Sequence, residues 1–142
     1  MSFSETISPF FGRCAFVWFY ISAAGDILAN FHGIAAELGA KHVPLPPLVL
    51  VVAMVFIFIG CISLLFGWHT RYGAVMLFGM TIVSAFALHD YWHQPDAAGR
   101  AAAFSIFIRD FAISGGLLLM VGMGPGPFAI DNRVKGGGGK KR

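Results

Sequence analysis

The chain has 142 residues, the size of one domain. Apolar residues make up 57% and charged residues 12%, about half the charged share of a soluble domain, and mean hydropathy is +0.74. The net charge of +3 arises mainly at the chain end, where Arg133, Lys135, Lys140, Lys141 and Arg142 lie. The pI near 9.1 therefore describes a tail rather than a basic surface. Composition argues against a soluble globular domain, and charge placement argues against a nucleic-acid-binding one.

The first apolar run spans about Pro9 to Phe31, with Ser8 before Pro9 as the expected helix start. The segment before it lacks a basic n-region, and no cleavage site follows, so the run is expected to remain as a membrane helix. Phe10, Phe11, Phe16, Trp18, Phe19 and Tyr20 make it strongly aromatic. Arg13, near its start, is expected to snorkel to the headgroups. Asp26 and Asn30 fall one turn apart near its end. A polar connection follows from His32 to Pro44, with room for a short interfacial helix.

The second run, Leu48 to Trp68, contains no charged residue and gives the strongest transmembrane signal. Its Gly60 is a point for close helix packing. His69-Thr70-Arg71 forms a tight polar turn. The third run starts at Tyr72, is rich in Gly, Ala and Ser, and ends in His89-Asp90-Tyr91-Trp92-His93, where the aromatic pair suits a membrane–water interface. The fourth spans about Ala101 to Met123, with Arg109 and Asp110 near its start and Gly115-Gly116 as a small-residue packing face. It stops at Gly124-Pro125-Gly126-Pro127, which cannot continue a helix.

These runs predict an all-α fold, an integral membrane four-helix bundle within residues 1–130, with spans near 9–31, 48–68, 72–92 and 101–123. Residues 131–142 are expected to form a disordered basic tail. Cys14 and Cys61 sit inside apolar runs without CxxC spacing and read as buried free thiols. No GxGxxG, P-loop, GxSxG or HExxH pattern occurs.

Four spans place both termini on one side. Arg13, Arg71 and the basic tail share that side, against Lys41 and Arg100 opposite, so the termini are expected in the cytoplasm. Asp26, Asn30, His89, His93, Arg109 and Asp110 then converge in one outer layer. An unpaired ion in a bilayer costs about 3 kcal/mol or more, so pairing is expected, with Asp26–Arg109 first and His89–Asp110 second. Two readings of the layer stay open. One is an ion-pair network that fixes helix packing. The other is a pocket for a quinone headgroup or a small thiol-type substrate, with histidine and arginine hydrogen-bonding carbonyls and managing protons. His89 and His93, at i and i+4, could face one metal, but no third ligand is fixed and no metal is expected.

Several features, in this order, resemble the DoxX family of small membrane proteins. They are Arg13 and Gly25 in the first helix, Gly67-Trp68-x-Thr70-Arg71, the His/aromatic end of the third helix, and Gly115-Gly116 followed by Gly124-Pro125-Gly126 and Asp131. The chain departs from the family pattern at Pro127 and in the Phe128-Ala129-Ile130 spacing before the aspartate. Met54-Val55-Phe56-Ile57 also stands where many members carry a glutamate. The resemblance implies a four-helix membrane protein in a bacterial inner membrane. It also implies a redox setting, quinone-linked oxidation of a small sulfur compound such as thiosulfate, with other membrane or redox subunits as partners. The alternative is a non-catalytic anchor or accessory subunit. The family supplies no transferable catalytic set.

Overall fold

The computed structural model describes residues 3–124, 126, 129 and 130. The tail expected to be disordered, residues 131–142, lies outside the described residues. Five helices form in chain order: α1 (Phe3–Ala29), α2 (Phe31–Ala40), α3 (Pro46–Phe66), α4 (Thr70–Leu88) and α5 (Ala97–Met123), with a 3-10 turn at Tyr91–His93 before α5. No strand occurs among the described residues. Four of the helices, all but the ten-residue α2, are long and apolar enough to cross a membrane.

Helix boundaries follow local chemistry. α1 begins at Phe3 rather than at Pro9, which sits inside the helix. Pro9 is the seventh residue of the helix and lacks the N–H that would donate to the Glu5 carbonyl, so the first two turns run on without that bond. α3 starts at Pro46 with prolines in its first turn and ends at Gly67, whose φ of 67° is left-handed. The Trp68 amide then donates to the Ser63 carbonyl at 3.1 Å, the long-range bond of a glycine-terminated helix. The Ser63 hydroxyl donates to the carbonyls of Trp68 and His69 at 2.8 and 3.2 Å, fixing the α3–α4 turn. α4 ends at Leu88, short of the expected Trp92, because His89 and Asp90 leave the helix before the 3-10 turn. Asp96 caps α5 by accepting from the Gly99 amide at 2.7 Å, so α5 starts at Ala97, ahead of the expected Ala101.

The core is one helical face from each spanning helix: Val17, Tyr20 and Ala24 from α1, Ile57, Cys61 and Leu64 from α3, Ala74 and Leu77 from α4, and Leu117 from α5. α4 packs against both α3 and α5, and α1 packs against α3. Two glycines set close approach. A Cβ at Gly60 would lie 2.5 Å from Leu77, and one at Gly116 would lie 2.7 Å from the Phe16 ring. Gly115 meets nothing within 4 Å, so only one of the expected glycine pair packs against a neighbouring helix.

Arg13 corrects the sequence expectation most clearly. Its side chain does not reach toward headgroups. It is 2% exposed and turned inward, with its guanidinium 5.8 Å from the Phe10 ring centroid. A Cβ at Gly67 would lie 2.6 Å from its Nη1. A glycine there leaves room for this buried cation at the end of the bundle nearest the termini.

Candidate functional site

Toward the opposite end, where α1 and α4 finish and pack beside the middle of α5, the helices line a partly open cavity of about 260 Å³. Its wall is mostly apolar, with Leu50, Ala53 and Ile57 from α3 and Ile34 and Leu38 from α2. Four of the six polar residues expected to converge line it: Asp26, His89, Arg109 and Asp110. Asp26 and His89 come from the ends of α1 and α4, and Arg109 and Asp110 come from the middle of α5, which runs back past those ends.

Asp110 is the centre of this group. It is 3% exposed. Its Oδ2 lies 2.9 Å from His89 Nδ1. Its Oδ1 accepts from Arg109 Nε and Nη2 at 3.1 and 3.0 Å. A carboxylate can only accept, so His89 Nδ1 carries the proton and Nε2 is left as the basic nitrogen. The backbone carbonyl of Asp110 accepts from the Ser114 hydroxyl at 2.8 Å. The second expected pair, His89 with Asp110, is therefore formed. The first is not. Arg109 is held by its sequence neighbour and lies 5.3 Å from the centroid of the Phe19 ring, while Asp26 makes no ion pair among the described residues. Asp26 is exposed, so water or headgroups can solvate it without a partner.

Asn30 and His93 do not line the cavity. Asn30 is the break between α1 and α2, and its side chain packs over Gly33. His93 is bonded through Nδ1 to Asp90 Oδ2 at 2.9 Å, with its side chain 74% exposed. His89 and His93 thus have different carboxylate partners and do not face a common metal position. Deeper in the cavity, the Tyr20 hydroxyl is hydrogen-bonded to the Thr81 hydroxyl, which donates to the Leu77 carbonyl at 2.8 Å.

Sequence reasoning missed Lys41. Its Nζ donates to the carbonyls of Ala87 and Leu88 at 2.9 and 3.1 Å and to Asp90 Oδ1 at 2.6 Å. Glu37, one helical turn earlier, lies 3.4 Å away. The Glu37/Lys41 spacing reads as an ordinary exposed i,i+4 pair, and no local pattern signals that the lysine reaches across to α4.

The DoxX family model matches residues 8–90, which include α1 to α4 and the His89 end of the cavity. This chain belongs to the DoxX family. Relatives cover nearly its whole length. The Inner membrane protein YqjF of Escherichia coli K12 is 28% identical over 127 residues, 89% of this chain and 92% of the relative. The Inner membrane protein YphA of the same organism is 28% identical over 123 residues, 85% and 86% of the two chains. No solved structure matches. As a DoxX-family member, the chain is an integral, multi-pass membrane protein. Arg109 and Asp110 lie beyond the matched segment, so half of the cavity's charged wall is contributed by a part of this chain that the family model does not reach.

Proposed function

We propose that this DoxX-family protein is a membrane subunit of a redox assembly and that its cavity takes the headgroup of a quinone. The observation that carries the reading is the cavity itself. An apolar chamber of about 260 Å³ has Arg109, His89 and Asp110 joined by hydrogen bonds in its wall. That volume is just under the roughly 300–1,000 Å³ of sites for drug-sized ligands, which suits a single-ring headgroup. Its chemistry fits as well. Arg109 supplies N–H donors for a carbonyl oxygen. His89, oriented by Asp110, offers its Nε2 as a hydrogen-bond and proton partner. Reduction of a quinone to a quinol takes up two electrons and two protons. The electrons come from a partner subunit or a small sulfur compound such as thiosulfate, and the His89–Asp110 pair handles protons at Nε2.

The same reading places the protein in a bacterial inner membrane, in keeping with the inner-membrane names of its relatives. Both termini are on the cytoplasmic side, supported by Arg71 and the basic chain end there. The cavity then opens toward the outer half of the bilayer.

A second reading has its own support. Asp110 is satisfied from both sides, by His89 on α4's end and by Arg109, as in a network that only fixes packing. In that case the chain is a non-catalytic anchor or accessory subunit. Purification in a gentle detergent, followed by mass spectrometry of co-purifying proteins and extraction of bound quinone, separates the two. The redox reading expects quinone in about equal molar amount and a redox partner. Protein free of quinone, with quinone reduction in membranes unaffected by its deletion, contradicts it.

A further inference from the structure

We propose that α2 is the door of the cavity and that Lys41 is its latch. The inference rests on the cavity being a ligand site and adds how a small uncharged ligand reaches it.

α2 is short, and much of its surface is exposed. What it buries is Leu38, 4% exposed, which together with Ile34 forms part of the cavity wall. These two apolar side chains close the chamber on the α2 side. Moving α2 away would open it without disturbing any spanning helix.

The two ends of α2 suit such a movement. At Asn30 the backbone leaves helical geometry with φ −122° and ψ 35°, and no side chain caps the first turn. After α2, His42 and Leu45 are both left-handed, with φ of 60° and 50°. Non-glycine residues in that region are strained, and such strain persists only where surrounding contacts hold it. Pro44, Pro46 and Pro47 stiffen the same strap.

The contact that holds α2 down is Lys41. The last carbonyls of α4 have no helical donors of their own, and the negative end of the helix dipole favours a cation there. Lys41 uses its three ammonium protons on Ala87 O, Leu88 O and Asp90 Oδ1. Asp90 is oriented in turn by His93. The lysine side chain is 27% exposed, so water competes for it and the latch can release. Two apolar side chains and one ammonium thus form the closure, and the ammonium is the part that a single substitution removes.

The test uses the full chain in lipid nanodiscs, with Cys14→Ser and Cys61→Ala, and Ala53→Cys as a reporter in the cavity wall. The measured quantity is the rate of reaction with N-ethylmaleimide. Lys41→Met should raise that rate by roughly tenfold, the factor expected when about one net charge-assisted hydrogen bond is lost. Asp90→Asn keeps the helix-end contacts and should raise it less; it also carries the test if Lys41→Met does not fold. Carbodiimide should join Lys41 to Asp90 as an amide, with loss of water to the reagent, and slow the reaction below that of untreated protein. Carbodiimide should do nothing to Lys41→Met. Equal rates in all these forms overturn the door. A short-chain benzoquinone with every ring position substituted, so that no thiol adds to the ring, should protect Ala53→Cys when the latch is intact. Latch-dependent labelling without quinone protection supports the door and removes the quinone reading. Protection with latch-independent labelling does the reverse.

Discussion

Asp110→Ala removes the acceptor that joins the end of α4 to the middle of α5. The side chain is 5% exposed and touches His89 at 2.9 Å and Arg109 at 3.0 Å. Removing one partner of a fully buried pair costs about 3–5 kcal/mol, but this pair is not uniformly buried. The Arg109 side chain is 53% exposed at the bundle surface, so its bond is the less shielded of the two and its loss counts for about 0–1 kcal/mol. The His89 contact is better shielded, with 24% exposure on the histidine side chain, and a hydrogen bond to a charged group is worth about 1.5–3 kcal/mol. The sum is about 1.5–4 kcal/mol. Asp26 lines the same cavity but is exposed and makes no ion pair among the described residues. Asp26→Ala should therefore stay within about 0.5 kcal/mol of wild type. Unfolding titrations in SDS–detergent mixtures, with thermal scans in parallel, measure both. A double-mutant cycle with His89→Ala should recover a coupling of about 1 kcal/mol or more. Equal stability of Asp110→Ala and Asp26→Ala would refute the assignment of Asp110 as the hub.

The glycines of α5 give a paired test. Gly116→Leu must displace the Phe16 ring and should cost about 1–3 kcal/mol, whereas Gly115→Leu, which meets open space, should leave the melting temperature nearly unchanged. Tyr20→Phe removes the hydroxyl bonded to Thr81 inside the core and should cost about 1 kcal/mol in the same titration. In intact cells, a cysteine in place of Asp96 should react with an impermeant thiol reagent; reaction of one in place of Arg71 instead would invert the proposed orientation.

The spanning helices were legible because apolar runs of about 20 residues have few other uses. The stop expected at Gly124 acted as its chemistry dictates, with α5 ending at Met123. The meeting of His89 with Asp110 was also legible, since alternating helix directions run α5 back past the end of α4. Side-chain choice within that layer was not. Arg109 turned to Asp110 rather than to Asp26, and neighbours in sequence carry no signal of which rotamer closes. Arg13 turned inward because Gly67, distant in sequence, leaves space for it. Lys41 reached α4 because the α2 strap carries it there, and that strap depends on left-handed backbone at His42 and Leu45, two residue types that do not announce it.

If the cavity holds a quinone headgroup, filling the cavity removes binding. Ala53 is 7% exposed and faces the chamber, so Ala53→Leu should occupy part of it without touching Asp110, His89 or Arg109. Binding of a short-chain benzoquinone to the purified protein in nanodiscs, followed by quenching of tryptophan fluorescence, is the measurement. Wild type should show saturable one-to-one binding, and Ala53→Leu should bind at least about tenfold more weakly at matched thermal stability, the effect of losing about 1.4 kcal/mol of ligand contact. No saturable binding to wild type, or equal binding to both proteins, would contradict the quinone reading.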